Sequence, residues 1–350
     1  MDREKIREMA VRVVSDAGGG MIAGLGYIGD RLGLFRALAG AGSLTSDELA
    51  RRTDLNARYV LEWLKAMVAA QYLECDAEAE SFWMTEEAAH VLAEEGGRMF
   101  MAGAFQIAVP SLMMTPRVME TFRKGGGIPF SEMDPEIVES IDRIHMGPFL
   151  HALAQEWLPQ VPGLKAKLEE GISVLDVGCG LGRSTVAIAS AYPNSRVVGL
   201  EPDPHSLGQA QALAAEAKVT NVTYLPHPIA EVPRDNPYDL IMAIDCIHDM
   251  VDPVGALRAI REALSDNGLL FWVEPVGSHN PLENQNPAGK FRSGLSPYHC
   301  LSVSLADDGA GLGTLIGEVG ARKLAEESGF SRFEKLPIKD PGQQFFGARR

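Results

Sequence analysis

Residues 172–182, ISVLDVGCGLG, decide the fold. A short apolar run of strand character ends in Gly178, Gly180 and Gly182, a turn that lets a ligand approach the backbone. From about residue 166, strand-like and helix-like runs alternate on either side of this segment. SRVVGLE, VTYL, YDLIMAI and GLLFWVE read as four further strands, with helices at 183–192, 204–218 and 253–265 between them. The last of these helices has Asp252 as its cap, Pro253 at its first position and Asn267-Gly268 at its end. AGLGT leads into a helix over 317–329, and FEKLPI and QFFGAR supply two more strands. The order predicts an α/β fold, a seven-stranded Rossmann-like sheet whose last pair is an antiparallel hairpin.

The glycine spacing bears on the ligand. A dinucleotide fold would carry G-x-G-x-x-G, whereas here it is G-x-G-x-G, and Arg183 stands where the third glycine would fall. Nicotinamide dinucleotides are therefore disfavoured. Glu201, followed by Pro202, ends the second strand and is placed to bind ribose hydroxyls. A backbone turn for an amino-acid moiety plus an acid for a ribose fits S-adenosylmethionine, which has no pyrophosphate. Asp176 is read as an organiser of the turn.

The N-terminal part is patterned differently. In LTSDELARRTDLNARYVLEWLKAMVAAQYLE, Thr45 and Glu48 have capping-box spacing, and Asn56 can start a second helix with Val60, Leu61, Leu64, Met67 and Val68 on one face. A short aromatic segment, SFWMT, completes the order of a winged helix, assigned to residues 1–97. Residues 1–100 carry 11 Lys and Arg against 17 Asp and Glu, and Asp76, Glu78 and Glu80 sit in the wing, the wrong sign for tracking phosphates. Nucleic acid is not the expected partner. The glycine-bearing apolar stretch AGGGMIAGLGYIGDRLGLF suits close packing of helices in a homodimer instead.

Residues 98–165 form a helical bridge broken by GGGIP, placed to cover the active face of the sheet domain at 166–350. Met113, Met114, His145 and Phe149 from this bridge, together with His299, are candidates for holding an acceptor. The net charge of −15 favours solubility and opposes anionic surfaces. No run approaches the roughly 18 apolar residues of a membrane span, no signal peptide is legible, and the four cysteines are too scattered for a zinc knuckle. A cytoplasmic protein with reduced thiols and no metal is the expectation.

GLFRALA, LNARYVLEWLKAMV, FRKGGGIPFSE, VLDVGCGLGRS, IHDMVDPVGALRAIREAL and YHCLSVSLADDGAGLGTLIGE together resemble the class I S-adenosylmethionine-dependent methyltransferases with an N-terminal winged-helix domain. The resemblance covers nearly the whole chain. It implies the cofactor, the two-domain order and a dimer. Such enzymes often carry Gly-Asp after the third strand to meet the adenine; this chain has His227-Pro228, so the backbone near Ile229 and Ala230 is assigned that edge.

AIDCIHDM, residues 243–250, follows the fourth strand, where the sulfonium methyl should lie. IHDMVDP is similar to the IHDW-type segment of plant-style small-molecule O-methyltransferases, whose histidine is a general base. The resemblance makes His248 the base, Asp249 its support, and leaves Asp245 near the cationic part of the cofactor. O-methylation of a small molecule is the first expectation. S-methylation of a thiol or thioether acid, which needs no base, and a regulator that senses the cofactor without chemistry are the alternatives.

Overall fold

Residues 1–350 are described by a computed structural model, in which Met1–Met113 with Asp134–Gly147 form one unit and Met114–Met133 with Pro148–Arg350 another. The stretch at 98–165 is thus shared between the two. No helix is long and apolar enough to cross a membrane.

The first unit begins with helix α1 (Arg3–Arg31), capped by Asp2, whose carboxylate accepts from the backbone of Glu4 and Lys5. Helices Ser46–Thr53 and Ala57–Ala69 follow, and strands β1 (Leu44–Thr45), β2 (Glu74–Cys75) and β3 (Ser81–Trp83) make a small antiparallel wing in the order β1-β3-β2. The capping box of Thr45 and Glu48 forms in full, and Asn56 caps the next helix. Val60, Leu64 and Met67 enter the core as their spacing requires, joined by Trp63, Phe35 and Phe82. Gly29 is where Trp63 lies on α1: a Cβ there would sit 2.5 Å from the indole, whose Nε1 donates to the Leu25 carbonyl at 2.9 Å. Gly26 admits Phe105 in the same way.

Segment Asp134–Gly147 returns to this unit through a buried ion pair. Arg143 donates through both terminal nitrogens to Asp30, at 2.7 and 3.0 Å, to Gln106 at 2.6 Å, and through Nε to Glu95 at 2.8 Å. Its guanidinium lies over the Phe100 ring. Four of its five N–H groups are engaged, most of what a buried guanidinium needs.

The second unit is built on a seven-stranded sheet in the order β6-β5-β4-β7-β8-β10-β9, with β4 (Ser173–Val177), β5 (Arg196–Leu200), β6 (Val222–Leu225), β7 (Tyr238–Ile244), β8 (Leu264–Pro275), β9 (Arg332–Lys335) and β10 (Gln343–Arg349). The strands from β4 to β8 pair in parallel, and β10 runs antiparallel to both β8 and β9. Alternate residues feed two cores, one per face. Trp272 and Phe346 pack with Leu257 and Ile260, while Phe271 and Phe345 pack with Trp157, Leu168 and Ile188.

One boundary differs from the sequence reading. Helix Pro253–Ala263 stops before Leu264, and Asn267-Gly268 lies inside β8 rather than at a helix end. A register shift between Tyr238 and Leu240 absorbs the extra residues, so the pair sits in an irregularity of the ladder.

The buried pair yields a stability prediction. Asp30→Ala removes the buried counter-ion of Arg143, leaving only the more exposed Glu95, and should cost up to ~3–5 kcal/mol in urea denaturation, whereas replacing both, Asp30→Leu with Arg143→Met, should recover most of the loss.

Candidate functional site

Parallel strands end on one edge of the sheet, and the chain there turns sharply after β4. The three glycines of that turn all have positive φ, but they do different things. A Cβ on Gly182 would lie 2.7 Å from Ala210 Cβ and 2.8 Å from the Tyr224 hydroxyl, so this glycine allows two elements to close on each other. One on Gly178 would come within 3.1 Å of Cys246. In front of Gly180 there is nothing within 4 Å, which makes it the open face of the turn.

Glu201, at the end of β5, accepts from the Gly180 N–H at 3.0 Å through Oε2 and from the Asp203 N–H at 2.9 Å through Oε1. Burial raises its pKa, and these backbone donors oppose that rise. A carboxylate has about four acceptor positions, so two remain for ligand hydroxyls. Pro202 follows it. Asp176 is buried and accepts from the hydroxyls of Ser184 at 2.6 Å and Thr185 at 2.7 Å, tying the strand end to the first turn of helix Arg183–Ala191. Burial pushes its carboxyl up to about 6 despite those bonds. Ile229 and Ala230 lie in a single 3₁₀ turn, Ile229–Glu231, at the same edge.

After β7 the backbone is forced into the left-handed region at Asp245, φ +54°, and enters the 3₁₀ turn Ile247–Asp249. That turn buries His248, which is 1% exposed. Its Nδ1 lies 2.6 Å from Glu274 Oε2, and the other Glu274 oxygen accepts from the Trp272 indole at 2.6 Å. Its Nε2 lies 3.1 Å from Asp249 Oδ1, an ion-pair distance without hydrogen-bond alignment. Burial works against the imidazolium, but the Asp249 and Glu274 carboxylates outweigh it and hold His248 well above the usual histidine range. His299, also buried, has Nε2 3.9 Å from Asp249 Oδ2; burial lowers its pKa.

Of the residues singled out in the sequence, Asp176, Gly178, Gly180, Gly182, Glu201, Pro202, Ile229, Ala230, Asp245, His248, Asp249 and His299 all belong to the second unit, as do Met114 and Phe149. Met113 and His145 belong to the first. Sequence reasoning missed Glu274, Trp272, Ser184, Thr185 and Cys300. Only Glu274 left a trace, as an acid closing an otherwise apolar strand.

A seven-stranded sheet with this order, a glycine turn at its first crossover and an acid closing the second strand define the class I methyltransferase fold, whose cofactor is S-adenosylmethionine. Residues 168–307 match the methyltransferase domain family and residues 20–94 the Rv2258c-like winged HTH domain. Residues 168–307 are thus similar to methyltransferase domains, and residues 20–94 to a winged module. It is 31% identical over 110 residues to (S)-coclaurine N-methyltransferase of Thalictrum flavum subsp. glaucum, an alignment covering 31% of this chain and 30% of that protein. The chain thus spans less than a third of that relative's length. Among solved structures, a Nostoc punctiforme protein assigned as an O-methyltransferase superimposes with a TM-score of 0.74 at 20% identity, covering 100% of this chain and 99% of the other. Human N-acetylserotonin methyltransferase in complex with S-adenosylmethionine gives 0.72 at 15% identity, covering 97% of each chain.

Asp176 makes stability depend on pH. Its folded pKa of about 6 lies above the ordinary 3.8, so the stabilisation it brings is complete below 3.8 and is lost as pH rises through 6. About two pH units correspond to about 3 kcal/mol. Between pH 4 and 7 the unfolding free energy of Asp176→Asn should fall by about that much less than that of the wild type, measured by denaturant titration at each pH.

Proposed function

We propose that the chain transfers the methyl group of S-adenosylmethionine to a hydroxyl of a small molecule, with His248 as the proton acceptor. The observation that carries this reading is the buried contact of His248 Nδ1 with Glu274, 2.6 Å long. With Glu274 ionised, Nδ1 carries the hydrogen, and loss of the Nε2 proton, above the raised pKa of the ring, frees the lone pair that takes the proton of the acceptor. Glu274 holds the ring in that tautomer, and Trp272 holds Glu274.

The open face at Gly180 and the free acceptor positions of Glu201 fit the amino-acid and ribose parts of the cofactor, with Ile229 and Ala230 at the adenine edge and Asp245 toward its cationic part. When bound, the cofactor supplies an electrophilic methyl on a sulfonium. Asp176 fixes the turn, and His248 takes the proton of the attacking hydroxyl while Asp249 steadies the charge that develops on the ring. Phe149, Met114 and His299, all of the second unit, are the candidates for holding the acceptor. An acidic winged module argues against the alternative of a DNA-binding sensor, and four unpaired thiols accord with a reducing, cytoplasmic setting.

In single-turnover assays following S-adenosylhomocysteine, His248→Ala should lower the rate by ~10²-fold or more, and Glu274→Gln should lower it in the same direction. Cofactor affinity by calorimetry should stay near wild type in both. Full activity of His248→Ala at saturating acceptor would overturn the base role and favour a thiol, thioether or carboxylate acceptor.

The winged unit is read as a homodimerisation module. The leading half of α1 is exposed on all sides, with Ile6, Met9 and Val13 in one apolar stripe, and nothing approaches Gly18, Gly19, Gly20 or Gly24 within 4 Å. A helix without tertiary packing is marginal in water, so a second copy is the natural cover. Met9→Glu with Val13→Glu should convert a dimer to a monomer in light scattering; an unchanged mass would sink the assignment.

A further inference from the structure

We propose that His248, Asp249 and Cys300 form a binding site for a divalent transition-metal ion of the zinc class. One donor atom from each lies within 4.8 Å of the other two; His248 and Cys300 are buried, 1% and 4% exposed, and Asp249 is partly buried. Neighbours are already arranged as they are around a ligated metal. His248 Nδ1 is engaged by Glu274, the carboxylate–imidazole contact that turns the remaining ring nitrogen toward a cation. Cys300 Sγ accepts from the Thr314 hydroxyl at 3.0 Å, a bond that a metal-bound sulfur can keep. A second imidazole borders the same carboxylate: His299, 5% exposed, has its Nε2 3.9 Å from Asp249 Oδ2.

The donor set decides the class of cation. One imidazole nitrogen, one carboxylate oxygen and one thiolate, with a second imidazole beside them, suit Zn²⁺ or Co²⁺ in a four-coordinate site. Mg²⁺ and Ca²⁺ require oxygen ligands and are excluded by the sulfur. Binding forms a sulfur–metal bond as the Cys300 thiol proton leaves to solvent, with no change of oxidation state. The functional consequence rests on the reading of His248 as the proton acceptor: a cation on Nε2 takes the lone pair that would receive the proton, so the metal inhibits methyl transfer.

The test is to titrate the reduced, full-length protein with Co²⁺ and record its absorption. The wild type should give a thiolate-to-cobalt charge-transfer band saturating near one equivalent. Cys300→Ser should lose that band while keeping wild-type cofactor affinity by calorimetry, and Cys75→Ser, in the other unit, should retain it. No band in the wild type, or a band that survives Cys300→Ser, overturns the proposal. After chelator treatment, one equivalent of Zn²⁺ should stop the wild type and leave Cys300→Ser at its own metal-free rate. A cobalt band without zinc inhibition supports the site and counts against His248 as the base, so the two readings fail separately.

Discussion

Parallel pairing in a fixed register is the constraint on which the second unit depends. Asp176 of β4 pairs with Gly199 of β5 on one side and Met242 of β7 on the other, while Ile244 pairs with Val273 of β8. Four strand ends therefore finish within a residue or two of one another. The glycine turn, Glu201, the Asp245 turn and Glu274 are consequences of that register. A slip of one residue would send each of these side chains to the opposite face of the sheet.

Gathering so many acids on one edge is costly, and the structure offsets each differently. Asp176 has two hydroxyl donors, Glu201 two backbone N–H groups, and Glu274 an indole and an imidazole. Only the last set includes a titrating cation. The resulting field is negative, which suits a sulfonium ligand and raises the proton affinity of the one histidine fixed between two carboxylates.

The first unit solves a different problem. Its chain is interrupted by residues 114–133, and Asp134–Gly147 has to rejoin it without continuous backbone. Arg143 does this with a planar fork that meets Asp30 bidentately and still reaches Gln106 and Glu95, geometry a lysine has too few fixed donors to copy. The winged core beside it is ordinary apolar packing, with glycines in α1 thinned to take two aromatic rings.

Much of this was legible in the sequence because it is written locally. A capping box at Thr45 and Glu48, an N-cap at Asn56, the apolar run of β7 and the glycine run after β4 each depend on residues within one turn or one strand. So did the succession of strands and helices along the chain, since strand and helix periods differ. Asn267-Gly268 misled because a turn signal is also compatible with an irregular strand, and only pairing with β7 chose between them. The partners of His248 were beyond reach for a deeper reason. Glu274 reads as any acid at a strand end, and Cys300 as a lone cysteine, until β8 and the segment after it are folded against the loop that carries the histidine. Sequence by itself determined the fold, the glycine turn after β4 and the place of the histidine after β7. Tertiary structure decided which carboxylates and which thiol surround that histidine, because charge acts through space over a few ångströms irrespective of separation along the chain.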